Sequence, residues 1–372
     1  MSAHSDRGPS SSERWIHCPP SSVLCADIPD EPTDFAKEGT DAHSLCEYRL
    51  KKALGQECEN PIENLDFYNQ EMEEHAAGYV SYVMELLEEA KSLFGDPVVL
   101  VEQHVEYERY VKDGFGTADC IIVSNGTLHV VDFKYGMGVE VNAVGNSQMR
   151  LYALGALELF DCLYDIDTIQ MTIYQPRKAN ISADTITRDE LVQWAEVVLK
   201  PAADLAEKGE GEFCSGSWCR FCKARKTCKE RARKCLELVA YDFVPAPTLS
   251  DDEITDILSK VDSLVSWSDD IKSYALEQAI AGKTWTGFKL VEGRSIRKYT
   301  DEDMVAKAAI DAGYEPYEQT LLGITDMQKQ MGKKKFEEVL GKLVIKPVGK
   351  PVLVSESNKR PPISDAKSEF MN

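Results

Sequence analysis

The chain has 372 residues, 43% of them hydrophobic, enough to bury one large core or two smaller ones. It contains no run of 18 apolar residues, and its first residues lack the apolar core of a signal peptide, so neither a membrane span nor export is expected. A formal net charge of −21 argues against a nucleic-acid binder that works through its whole surface, though not against one that confines positive charge to a groove. Eleven cysteines, an odd number, point to a reducing cytoplasm, where clustered thiols more often hold metal than pair as disulfides.

Residues 1–13 are polar and Ser-rich and are expected to be flexible. Trp15 and Ile16 follow as anchors, and Pro19 with Pro20 ends any local helix and holds Cys18 at a rigid turn. Past an acidic loop, Thr40 or Asp41 is placed to cap a helix. That helix sets His43 and Glu47 at i and i+4 on one face, where a neutral imidazole can ligate a metal. Read alone, the pair is equally a capping-turn histidine beside an exposed glutamate. Residues 66–94 carry the periodicity of a long amphipathic helix, with Tyr79, Val80, Val83, Leu86, Leu87 and Leu93 on its core side. Gly95, Asp96 and Pro97 stop it. Residues 98–110 read as a strand, mostly structural, with Glu102 a lesser candidate near the site. Gly136 and Gly138 mark a turn, Asn146 opens a helix that sets Gln148 and Tyr152 one turn apart, residues 166–174 form another strand, and 188–208 a further helix. Strands interleaved with helices predict an α/β core, a mixed central sheet flanked by helices.

The chemistry gathers in residues 117–136. Asn125 and Gly126 form the dipeptide that most strongly favours a type I′ turn, and β-branched apolar runs flank it, so a hairpin is expected. Closing at that tip pairs Ser124 with Thr127. Counting back along the ladder sets Asp119 opposite Asp132, with Lys134 on the same face. Directly opposed side chains have Cβ atoms about 5 Å apart, where like charges destabilise the pair. Two carboxylates and an ammonium on an otherwise apolar hairpin call for a compensating ligand, and Mg²⁺ or Mn²⁺ meets that need. The blander reading is a solvated hairpin end.

Cys219, Cys222 and Cys228 follow a C-x₂-C-x₅-C spacing, with Cys214 close by, and thiolates in such numbers suit Zn²⁺ or an iron–sulfur cluster. A closed local zinc site would use Cys214, Cys219, Cys222 and Cys228. A cluster completed from a distance would use Cys18 instead of Cys214. From Arg220 to Lys234 stand eight basic residues and one acid, Glu230. Arg220, Lys223, Arg225 and Lys226 lead that run, the best candidate here for contact with a phosphate backbone. The alternative is a solvated basic helix.

Beyond residue 245 the character changes. Ser250 with Glu253 and Thr300 with Asp303 resemble capping boxes. A mainly helical domain is expected over 246–345, with helices at about 251–281 and 324–345. An extended segment over 284–299 carries Arg294, Arg297 and Lys298. Residues 346–372 are expected to be disordered.

Taken in order, Gly39-Thr40-x-x-His43, Gly116-x-x-Asp119, Asp132-Phe133-Lys134 and Gln148-x₃-Tyr152 resemble the RecB-type branch of the PD-(D/E)XK nucleases. Cys18-Pro19 with Cys219, Cys222 and Cys228 is similar to the four-cysteine iron–sulfur version seen in AddB-type helicase–nuclease subunits and CRISPR-associated exonucleases. The whole resembles a group encoded mainly in phages and prophages. The resemblance covers roughly residues 14–235 and implies a restriction-endonuclease-like nuclease domain over 14–240. It implies that His43, Asp119 and Asp132 ligate Mg²⁺ or Mn²⁺, with the Phe133 carbonyl as a further ligand. Lys134 would orient or help deprotonate the attacking water, and Gln148 and Tyr152 would position the DNA strand or Lys134. Glu47, Arg220, Lys223, Arg225 and Lys226 complete the residues expected to contact or position DNA. Cys18, Cys219, Cys222 and Cys228 would hold a [4Fe–4S] cluster that staples the domain. The chain departs from the pattern twice: Asp132 stands where many relatives carry Glu, and Cys214 is additional, which keeps the Zn²⁺ alternative open.

The expected function is therefore metal-dependent DNA exonuclease activity in phage recombination or end processing, in the cytoplasm of a bacterial or phage-infected cell. Expected partners are DNA and a recombinase, single-strand-binding protein or helicase, with no membrane. The sequence has no phosphate-cradling P-loop, so any ATP-driven motor is another protein. The alternatives are a noncatalytic DNA-binding scaffold on the same fold, or a zinc-ribbon interaction protein.

Overall fold

A computed structural model describes residues 7–29, 33–237, 250–291, 302–311, 316–317 and 322–345. One mixed sheet organises the chain, with strands in sequence order: β1 (Val98–Glu106), β2 (Phe115–Ser124), β3 (Gly126–Phe133), β4 (Ile166–Gln175) and β5 (Asn180–Thr187). Neighbouring strands are antiparallel except β3 and β4, which are parallel. Helices α1 (Ser12–His17), α2 (Ser21–Ala26), α3 (Asp34–Ala53) and α4 (Gln70–Phe94) precede the sheet. Helix α5 (Ser147–Phe160) is the crossover that a parallel pair requires. Helices α6 (Arg188–Trp194), α7 (Lys200–Lys208), α8 (Lys229–Leu236) and α9 (Asp251–Ile280) follow. This is the α/β architecture expected from the sequence. No described helix is long and apolar enough to cross a membrane.

Each face of the sheet carries its own core. On one, α5, α6 and α1 pack Leu151, Leu154, Leu191 and Trp15 against Ile121, Val123, Leu128 and Val130. On the other, α3 and α4 pack Leu45, Tyr79 and Val83 against Cys120, Ile122, Val131 and Phe133. Strand side chains alternate between faces, so these two lists should keep one parity along each strand. They do not. On β2, Cys120 and Ile122 join the α3–α4 core while Ala118 joins the other; on β1, Val99 and Val101 face α3–α4 while Val105 does not. The pleat slips by one residue at Glu102 and Asp119. Glu102 accounts for the slip, because its φ of 52° lies in the left-handed region within a strand.

Local departures have local causes. Residues 7–13 are built into the fold, because fully buried Trp15 donates Nε1–H to the Gly8 carbonyl (3.3 Å) and the Pro9 ring lies over Gly116. Helix α3 starts at Asp34 under a Thr33 cap, so Thr40 and Asp41 are interior residues rather than caps. At the hairpin tip Gly126 has φ 86° and Asn125 is not in the positive-φ region, so the turn is not type I′. The expected helix over 188–208 is interrupted by a π-helical segment, Ala195–Leu199, just before Pro201, whose ring cannot sit against the carbonyl four residues back.

The first compact unit runs to Leu290 and includes α9, which the sequence grouped with the C-terminal domain. The second unit holds α10 (Glu302–Asp311), α11 (Ile324–Met331) and α12 (Lys333–Leu340). The single helix expected over 324–345 is broken at Gly332, which has φ 75°. Arg294, Arg297, Lys298, the Thr300 cap and residues 346–372 lie outside the described residues.

Candidate functional site

The hairpin register runs as expected from Ser124–Thr127 to Cys120–Val131 and stops one pair short of Asp119 and Asp132. In place of that pair, Asp119 Oδ2 accepts the Phe133 backbone N–H at 2.6 Å. Its other oxygen, Oδ1, lies 3.3 Å from His43 Nδ1 on α3. Asp132, with a side chain only 2% exposed, pairs through Oδ2 with Lys134 Nζ at 2.9 Å. Gln148 on α5 donates Nε2–H to Asp132 Oδ1 at 3.4 Å and to the Tyr152 hydroxyl at 3.0 Å. The Phe133 ring lies edge-on to His43 and to Tyr79.

Electrostatics follow from burial and proximity. Burial opposes the imidazolium of His43, and the Asp119 carboxylate more than offsets it, raising the pKa to about 9. Burial likewise opposes ionised Asp119, but His43, Lys134 and the Phe133 N–H together hold it below the usual carboxylate range. Burial dominates at Asp132 and pushes it up against the pull of Lys134. Burial and the Asp119 charge push Glu102 up to about 8. The site is thus over-supplied with carboxylate for its cations.

Of the residues expected here, His43, Asp119, Asp132, Phe133, Lys134, Gln148 and Tyr152 come together. Glu47 lines the same pocket as His43 and Asp119, with its carboxylate on Lys51 at 2.6 Å. Among the described residues, one group of metal-ligating atoms from three residues lies within 4.8 Å: His43, Glu102 and Asp119. Glu102 was the lesser candidate in the sequence, whereas Asp132 does not join that group.

A second pocket is lined by Cys18, Cys214, Cys219, Cys222 and Cys228, together with Arg14, Arg225 and Arg231. The Cys214 N–H points at Cys18 Sγ (3.4 Å), linking the end of α1 to the later segment. Cys25 on α2, which spacing gave no reason to single out, lies 3.6 Å sulfur to sulfur from Cys222. Among the described residues no three thiols come within 4.8 Å of one another.

The basic segment is largely neutralised by carboxylates. Arg225 pairs with Asp270 at 3.3 Å and Lys226 with Glu277 at 2.9 Å, both acids on α9. Arg231, 4% exposed, holds the other oxygen of Asp270 at 2.5 Å, and Arg233 pairs with Glu230 and Glu237. Arg220 is exposed, near the Phe221 ring.

A family model described as "Protein of unknown function (DUF2800)" matches residues 4–361. The chain belongs to the DUF2800 family. It is also similar to a solved structure titled "Crystal structure of SSO0001", at 14% identity over 59% of this chain and 96% of that one, with a TM-score of 0.24. For this DUF2800 chain, the chemistry of the site rests on its own geometry.

Proposed function

We propose that this chain is a metal-dependent deoxyribonuclease, an exonuclease of the RecB-type PD-(D/E)XK kind that acts in phage recombination or DNA end processing. One observation carries the reading: the ion pair His43–Asp119 and the network Lys134–Asp132–Gln148–Tyr152, brought from two helices and a hairpin, adjoin at Phe133, whose N–H binds Asp119. They are the residues to which the resemblance assigns the nuclease motifs. His43, Asp119 and Asp132, with the Phe133 carbonyl, would hold Mg²⁺ or Mn²⁺, for which imidazole nitrogen and carboxylate oxygen are suitable donors. A cation held there supplies Lewis acidity and a water of lowered pKa to phosphodiester hydrolysis. Lys134 would orient or help deprotonate the attacking water, or stabilise charge developing on the phosphate. Gln148 binds both Asp132 and the Tyr152 hydroxyl, and Gln148 and Tyr152 would position the DNA strand or Lys134.

The thiol-lined pocket supports a structural [4Fe–4S] cluster on Cys18, Cys219, Cys222 and Cys228. Cys214 lines the same pocket, so the alternative is a tetrahedral Zn²⁺ site on Cys214, Cys219, Cys222 and Cys228. To contact DNA phosphates, Arg225 and Lys226 would have to exchange carboxylates of α9 for phosphate, whereas Arg220 would not. A recombinase, single-strand-binding protein or helicase is the proposed protein partner.

The test uses full-length protein purified without oxygen and given end-labelled linear or closed circular DNA with Mn²⁺, Mg²⁺ or EDTA, beside Asp132→Ala. Metal-dependent loss of linear DNA, absent in the variant, supports the exonuclease, and loss of circles as well makes it an endonuclease. Absence of cleavage by folded, iron-loaded protein on either substrate overturns the reading in favour of a noncatalytic DNA-binding scaffold.

A further inference from the structure

Glu102 sits between the ladder pairs Val101–Cys120 and Gln103–Ala118, and so lies opposite Asp119. Carboxylates directly opposed across a ladder repel. A residue with a Cβ at φ 52° inside a strand is also strained, and such a conformation persists only where the surroundings enforce it. Repulsion and strain thus fall on the same residue. Their outcome is that a Glu102 oxygen, an Asp119 oxygen and a His43 ring nitrogen lie within 4.8 Å of one another.

The neighbouring carboxylates are each held. Asp132 has Lys134 and Gln148, Asp119 has the Phe133 N–H and His43, and Glu47 has Lys51. Among the described residues no hydrogen bond or ion pair reaches the Glu102 side chain, although it lines the pocket that His43 and Asp119 share. A strand that merely needed a polar residue here would carry it in the extended conformation, without strain and turned to solvent.

We infer that Glu102 is a cation ligand, the third donor of a cup formed with His43 and Asp119; this rests on the metal-dependent reading above. Two carboxylates and one imidazole suit Mn²⁺ better than Mg²⁺, which prefers an all-oxygen shell. Asp119 then has two tasks. Its Oδ1 faces the cup, and its Oδ2 stays on the Phe133 N–H that fixes the start of the Asp132–Lys134 segment.

The test is Mn²⁺ binding, followed by electron paramagnetic resonance on the EDTA-treated full chain, with circular dichroism and thermal melting as controls for folding. Glu102→Gln should weaken Mn²⁺ binding by about tenfold or more. Glu106→Gln, exposed on the same strand, should leave it unchanged. Glu102→Gly provides a second arm, because glycine relieves the positive φ: it should raise the melting temperature of the metal-free protein while also losing Mn²⁺ affinity. A structural role alone would not move those two readouts in opposite directions. Wild-type binding that Glu102→Gln and Glu102→Gly leave intact overturns the inference and spares the nuclease reading. Failure of the wild type to bind Mn²⁺ or cleave DNA overturns both.

Discussion

His129 offers a measurable consequence of how the sheet is built. It lies in β3 at 8% exposure, with Nε2 2.9 Å from Thr172 Oγ1 on β4. Burial drives its pKa down from 6.5 to about 4. The folded chain therefore keeps this ring neutral through a pH range in which the unfolded chain protonates it. Below pH 6.5 the unfolded state binds the extra proton, so stability falls as pH falls, and the loss is complete near pH 4. A displacement of that size corresponds to on the order of 3 kcal/mol. Urea unfolding of wild type and His129→Gln at pH 7 and pH 4.5, followed by tryptophan fluorescence, isolates it. Depressed carboxylates such as Asp119 titrate in both proteins and cancel in the difference. Wild type should lose about 2.5 kcal/mol more than the variant between the two pH values. Parallel losses in the two proteins would refute the burial argument.

Three further outcomes are expected. Lys134→Met leaves Asp132 buried without its counter-charge and should cost about 3 kcal/mol in thermal or urea unfolding, most of it recovered by adding Asp132→Asn; an unchanged stability would show that the pair is not buried in solution. Gly155→Ala should destabilise by about 1–3 kcal/mol without touching the site, because a Cβ there would stand 2.7 Å from Val105 Cβ and 3.1 Å from the Glu106 carbonyl. Under anaerobic purification Cys18→Ser should lose iron and its brown absorbance, whereas Cys214→Ser should keep both; the reverse result would move the fourth ligand to Cys214.

Much of the fold is written in local signals. The hairpin was legible because Asn125-Gly126 and two apolar runs fix its register almost alone, and the sheet pairs as counted from Ser124–Thr127 to Cys120–Val131. The convergence of Gln148 and Tyr152 was legible because residues four apart share a helical face. Strand β5 was not, because its polar, broken alternation becomes a strand only by pairing with the edge of β4. Nor could the basic run reveal its partners: Asp270 and Glu277 lie on a helix 39 to 51 residues later, and only packing of that helix against residues 223–236 brings them to Arg225, Lys226 and Arg231. Glu102 is the hardest case. Glutamate carries no signal for a positive φ, so its strained placement cannot be read from residue type.

That strain also explains how the site can exist. A regular sheet keeps the two faces apart, so a histidine on α3 and a glutamine on α5, packed on opposite faces, should not meet around one pair of carboxylates. The pleat slip at Glu102 and Asp119 removes that separation at a single point. Asp119, at the slip, reaches the His43 side and at the same time receives the N–H of Phe133. Asp132, one residue earlier on β3, projects to the α5 side and meets Lys134 and Gln148. The Phe133 backbone joins the two halves: its N–H binds Asp119, and Asp132 precedes it in the same strand.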